Sequence, residues 1–219
     1  NHGDGWTSAW VLEDMSEDKA TLSLESGPKK ETPYVYRARQ TYHLKDDRLD
    51  IHMEIENKGN ETLPFGLGHH PYFPRTEDVI FKARPPEVWN SRVMIPTNVQ
   101  SVPDQYDFLN GRTLDRKGLG EPVNGFDGQA FLDHCFQGWD RKAQITWPAK
   151  KTSLKLEADP VFSHFVLFVP QDNFFCAEPV SHATDAFNLA ERGEKGVGMR
   201  VLKPGQVLSG TMSFIYSQG

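Results

Sequence analysis

The chain lacks several things that would place it in a class at once. Its two cysteines, Cys135 and Cys176, allow at most one bridge, so no disulfide framework holds the fold; they read as half-buried thiols in a reducing compartment, and so as a cytoplasmic protein. No CxxC or Cys/His pair has zinc spacing, and the eight histidines form no HExxH motif. His69 and His70 are adjacent, so in an extended chain they point to opposite faces and cannot share a metal. Positive charge is in deficit: 24 Lys and Arg stand against 30 Asp and Glu over 219 residues, a net charge of −6. That balance disfavours nucleic acid and anionic lipid as partners. The longest purely apolar run, Phe165 to Val169, is far too short to cross a bilayer, and the opening residues carry no signal-peptide pattern.

Helical periodicity is also scarce. No window of a dozen residues keeps apolar spacing of three and four without a Pro or Gly, and only Ala183 to Arg192 is expected to form a turn or two of helix. What is present is a period of two. Asp50 to Glu56, Thr21 to Leu24 and Ser153 to Ala158 alternate polar and apolar residues, as half-buried strands do. Tyr34 to Leu44, followed by Asp46-Asp47-Arg48, predicts two long strands joined by a short turn. Pro204-Gly205 predicts a type II turn, with Gly198–Leu202 and Val207–Tyr216 as an antiparallel pair on either side. Arg84 to Gly128 is broken by Pro85, Pro86, Pro96, Pro103 and six glycine or proline positions beyond, which suggests long binding-type loops with short strands between them. No repeat and no linker divides the chain. The expectation is one all-β domain over residues 1–219, built of antiparallel sheets packed face to face.

Four segments stand apart. Gly66 to Pro74 sets His69-His70-Pro71 among glycines and aromatics. Its glycines allow close approach to a ligand, and Pro71 holds His70 extended; an aromatic turn would look the same. Asp133 sits in Ala130 to Phe136 among apolar residues, so it needs an Arg or Lys partner or else grips the hydroxyls of a polyol. Glu178 follows Phe174-Phe175 and precedes Pro179, a setting that ends a buried strand at a cleft and raises a carboxyl toward the working range of a general base. His2, with Gly3, Gly5 and Trp6, pairs an imidazole with an aromatic suited to a sugar face, although termini commonly fray.

Taken in order, His2-Gly3 to Trp10, Gly68 to Phe73, Leu132 to Phe136, and Glu178-Pro179 with Asp185-Ala186-Phe187-Asn188 resemble the aldose 1-epimerases, the galactose mutarotase-like proteins. Leu202 to Gln206 matches that family's usual Leu-x-Pro-Gly turn, so the resemblance spans the chain. It implies a β-supersandwich that interconverts the anomers of a hexose or related aldose by opening and reclosing the ring. By the same resemblance Glu178 is the base at the anomeric hydroxyl, His70 the acid at the ring oxygen, Asp133 a carboxylate holding sugar hydroxyls, and His2 a second histidine near the ring oxygen. A small sugar is then the partner, and neither cofactor nor metal is required. The family normally carries further strands before the His-Gly motif, with a substrate-contacting arginine. This chain starts at Asn1, so the expectation is a sequence cut in mid-element. Two other readings stay open: a non-catalytic sugar-binding sandwich, and a glycoside-processing enzyme that uses Asp133 and Glu178 as a carboxylate pair. Arg75, Arg84, Arg141 and Lys142 are scattered and read as solvated surface charges, so no phosphate site is evident. The identity of the sugar and the oligomeric state are not legible.

Overall fold

The computed structural model describes residues 2–27, 32–92, 95–121 and 130–219. Asn1 and, from the expected loop region, Pro122, Gly125 and Gly128 lie outside the described residues. Strands dominate, in two large antiparallel sheets. The larger sheet is built from β1 (Val11–Met15), β2 (Lys19–Ser26), β3 (Tyr36–Lys45), β4 (Arg48–Asn57), β7 (Ile80–Ala83), β10 (Arg112–Thr113), β12 (Lys142–Trp147), β13 (Thr152–Ala158) and β17 (Val207–Gln218). Their order across the sheet is β1-β2-β3-β4-β17-β13-β12-β7-β10. The second sheet contains β6 (Tyr72–Pro74), β8 (Glu87–Arg92), β9 (Ile95–Ser101), β11 (Ala130–Gln137), β14 (His164–Pro170) and β15 (Phe174–Val180), in the order β6-β15-β14-β11-β8-β9. A short pair joins β5 (Leu63–Phe65) to β16 (Arg200–Leu202). The described residues form the all-β sandwich of antiparallel sheets that the period of two anticipates.

Alternation sets the two faces of each sheet. On β4, Ile51 and Met53 are buried while Asp50, His52 and Glu54 face outward. On the second sheet, Phe73, Leu132, Phe136, Phe165, Leu167 and Phe175 point inward. They meet Phe81, Ile145, Leu156 and Met212 of the larger sheet in one apolar core. Phe81 and Phe165 stack across the sandwich at 5.7 Å with their planes 6° apart. Such a ring contributes about 3–5 kcal/mol over alanine when fully buried.

The β3–β4 hairpin turns at Asp46-Asp47 as expected, with Asp46 in the left-handed region at φ 44°. The helix expected near Ala183 is α2 (Ala186–Glu191); a second, α1 (Arg116–Leu119), lies in the loop region. Three expectations are corrected. The Pro204-Gly205 turn forms, with Gly205 at φ 77° and Gln206 N donating to Lys203 O at 3.0 Å, but its flanks do not pair with each other. β16 pairs with β5, and β17 pairs with β4 and β13. The cause is Asn57, wholly buried at the end of β4. Its amide donates to Leu202 O and Glu61 O, and its backbone bonds Gly205 and Gln206, so the turn is stapled to β4. Second, Cys135 and Cys176 are free and fully buried, not half-buried. Third, Arg75 is no solvated charge: its guanidinium donates to the carbonyls of Leu114, Gln171 and Asp172 and packs over Phe131. Arg84 and Lys142 are exposed as expected.

Candidate functional site

The outer face of the second sheet forms the floor of a cleft. Its rows follow from the strand register. Asp133 pairs with Phe168, and Phe168 with Cys176, which faces Tyr72; one row on, Cys135 pairs with Val166, and Val166 with Glu178. Side chains alternate along each strand, so all of these share one face. The same register runs on past the end of β6. Cys176 faces Tyr72 and Gly68 bridges Val180, which leaves His70 opposite Glu178.

Local bonds hold that crossing. Leu67 N donates to Ser181 Oγ and Ser181 N to Leu67 O, both at 2.8 Å, and His69 N reaches Pro179 O. Gly66 is needed because a Cβ there would lie 2.1 Å from the His182 ring. His69 turns inward toward Phe214, as its neighbour's outward direction requires. Glu178 does not end its strand: β15 continues through Pro179 to Val180.

The structure brings all four sequence-selected residues to this cleft of about 270 Å³, which His2, His70, Asp133 and Glu178 all line. His70 Nε2 lies 3.4 Å from Glu178 Oε1. Glu178 is buried, and burial, with the Asp133 carboxylate adding to it, pushes its pKa up to about 8. Burial also raises Asp133 to about 6, and it has no ion-pair partner among the described residues. His70 is held below the ordinary histidine value by burial and by His2. His2 stacks on Trp6 at 4.8 Å and meets the His70 ring edge-on at 5.1 Å. Its turn is tied to the fold: Asp4 accepts from Tyr36 Oη at 2.7 Å, and Trp10 Nε1 donates to Gly5 O at 2.9 Å.

Sequence reasoning missed the rest of the wall. Trp89, Ser91, Val166 and Phe168 line the cleft, as do His182 to Asp185 in the segment leading into α2. Alternation marked several of these as strand residues, but only the inter-strand register shows which face they share. No Lys or Arg is among the described residues lining the cleft. One donor atom each from His70, Cys176 and Glu178 lies within 4.8 Å of the others, a grouping able to hold a metal ion. Chemically, the cleft offers one acid–base pair able to share a proton and a second carboxyl group to accept or donate hydrogen bonds.

Comparison with known proteins agrees with this arrangement. The family described as aldose 1-epimerase matches residues 1–215. The uncharacterized protein YphB of Escherichia coli K12 is 32% identical over 214 residues, covering 97% of this chain and 70% of that protein. A crystal structure from Escherichia coli K12, provisionally described as an aldose 1-epimerase, superposes with a TM-score of 0.84 at 29% identity, over 100% of this chain and 72% of the other. A galactose mutarotase-like protein of Clostridium acetobutylicum shares the fold at 18% identity, with a TM-score of 0.76 over 100% of this chain and 69% of that one. Among the described residues no helix is long and apolar enough to cross a membrane.

Proposed function

This chain belongs to the aldose 1-epimerase family, and on that premise we propose that it interconverts the α and β anomers of an unphosphorylated hexose or related aldose. The observation that carries the reading is the placement of His70 directly opposite Glu178, 3.4 Å apart, on the floor of a sugar-sized cleft. Ring opening needs a base at the anomeric hydroxyl and an acid at the ring oxygen, close together but on different atoms. In this reading Glu178 removes the anomeric proton. The electrons of that O–H bond form the C1 carbonyl, the bond from C1 to the ring oxygen breaks, and His70 protonates the released oxygen. Rotation about C1–C2 presents the other face of the carbonyl, and reclosure returns each proton to its origin. No proton is gained or lost overall.

A carboxyl raised to about 8 is a stronger base than a solvated one, and an imidazole held below its ordinary value is a stronger acid; the shared proton then rests on Glu178, and the pair reacts from the form in which it has moved to His70. Between them the pair needs to carry one proton. Asp133, raised to about 6 and free of ion-pair partners among the described residues, serves as a receptor for sugar hydroxyls. Trp6, half exposed beside His2, offers a flat apolar surface to a pyranose face. The lack of a described basic side chain in the cleft favours a neutral sugar over a sugar phosphate.

Polarimetry on freshly dissolved α-galactose and α-glucose tests the reading. Faster approach to the equilibrium rotation, lost in both Glu178→Gln and His70→Asn, is the expected result. Sugar binding without any acceleration would instead leave a carbohydrate-binding sandwich, and release of aglycone from a nitrophenyl glycoside would favour the two-carboxylate alternative.

A further inference from the structure

We propose that His70, Cys176 and Glu178 form a binding site for a thiophilic divalent cation, Zn2+ above all, whose occupancy closes the cleft to sugar. The cation site stands on geometry alone; only the exclusion of sugar rests on the function proposed above.

Two of the donors come from one strand. Cys176 and Glu178 are two residues apart on β15 and so point to the same side of the sheet. The register with β6 brings His70 across from them, and one donor atom of each of the three lies within 4.8 Å of the others. Around a tetrahedral Zn2+ with bonds of about 2.0–2.3 Å, neighbouring donors sit roughly 3.4 Å apart. The nitrogen–oxygen pair already has that spacing, at 3.4 Å. The sulfur lies within 4.8 Å of both and has to close toward about 3.5 Å when the ion binds. The set holds one sulfur, one nitrogen and one oxygen, which suits zinc and gives hard cations such as Mg2+ and Ca2+ too few oxygens.

Two further observations point the same way. Cys176 is a free thiol with no exposed surface, and nothing in the sugar reaction uses it. His70 Nδ1 is buried with no hydrogen-bond partner among the described residues, while Tyr72 stacks on the ring at 5.0 Å and Nε2 is held toward Glu178, on the side where the cation would sit. Binding replaces the thiol proton, and any proton held by Glu178, with bonds to the metal; these protons leave to solvent. A tetrahedral fourth position stays open for water. With both Glu178 and His70 engaged by the ion, neither is available to a sugar. This is a regulatory or inhibitory site made from the cleft itself, unlike the structural zinc that sequence spacing already disfavoured.

The test titrates the chelator-treated chain with Co2+, which reports a thiolate ligand through near-ultraviolet charge-transfer absorption. One equivalent of Co2+ is expected to develop that band, and Zn2+ to remove it by displacement. Cys176→Ala is expected to lose the band, and Cys135→Ala to keep it. Glu178→Gln is expected to weaken Co2+ binding at least ~10-fold. Added Zn2+ is expected to stop mutarotation by the wild type, whereas whatever rate Cys176→Ala shows without metal is expected to be unchanged by Zn2+. No band, or a band that survives in Cys176→Ala, overturns the proposal. X-ray absorption on the zinc-loaded wild type gives a check independent of any variant: a coordination shell without sulfur also overturns it. If the chain accelerates no mutarotation at all, the cobalt band still decides the site.

Discussion

Replacing Glu178 with glutamine is expected to make the protein more stable and inactive. The stabilisation follows from burial. Glu178 titrates at about 8 in the folded chain, against an ordinary value of 4.5. Folding is therefore penalised whenever the unfolded chain would ionise this group and the folded chain cannot. Below pH 4.5 the carboxyl is protonated in both states and there is no penalty. As pH rises from 4.5, the unfolded state loses its proton first and stability falls; the loss is complete at about pH 8, where the folded group ionises too. At ~1.36 kcal/mol per pH unit, that is about 3 kcal/mol at pH 7 and about 5 kcal/mol above pH 8.

Glutamine keeps the shape and cannot ionise, so Glu178→Gln removes this slope. Urea or thermal unfolding of both proteins, without sugar, at pH 5, 7 and 8 gives the comparison. The expected gain is under ~1 kcal/mol at pH 5 and roughly 2–4 kcal/mol at pH 7, or about 4–16 °C in Tm for a chain of this size. Asp133, whose own titration ends near pH 6, is present in both proteins and largely cancels. Polarimetric activity should fall by roughly 10²–10⁴-fold, the contribution of one general base. A stability difference that is the same at pH 5 and pH 8 refutes the argument, because the carboxyl would then be titrating as a solvated one.

The wild-type rate should be bell-shaped in pH, with an acid limb below the ordinary histidine value of 6.5 and an alkaline limb near 8, since the pair must hold a single proton. Asp133→Asn should move the alkaline limb to lower pH, because the Asp133 charge helps hold Glu178 up, and should raise KM for the sugar; an unmoved limb counts against that coupling. Asn57→Leu strands the buried carbonyl of Leu202, removes the bond to Glu61 O and is expected to cost about 1–3 kcal/mol in urea unfolding, with the acid–base pair untouched. Gly66→Ala drives a methyl group into the His182 ring at the edge of the cleft; it should lower the rate more than an exposed Gly→Ala change such as Gly3→Ala, where nothing lies within 4 Å.

What the sequence made legible, and what it hid, divides along one physical line. A strand's own period assigns its two faces, so Ile51 and Met53 could be called buried and Asp50 and Glu54 outward, and Pro204-Gly205 could be called a turn. Partners depend on contacts far away in sequence. The strands beside that turn were misassigned because the deciding contact is the buried Asn57 amide, whose local sequence gives no sign of it. The cleft follows the same rule. Glu178, His70, Asp133 and His2 were picked out by segment, yet nothing local shows that His70 stands across from Glu178; that follows from a register fixed at Tyr72 and Gly68. Asp133 makes the case most sharply. Its apolar neighbours demanded either a cationic partner or a ligand, and Arg75 is a cation that packs over Phe131, two residues earlier on the same strand. The guanidinium is already committed to the carbonyls of Leu114, Gln171 and Asp172. Asp133 keeps a raised pKa and faces the cleft, and in the reading proposed above the hydroxyls of a sugar would supply the hydrogen bonds that burial withholds.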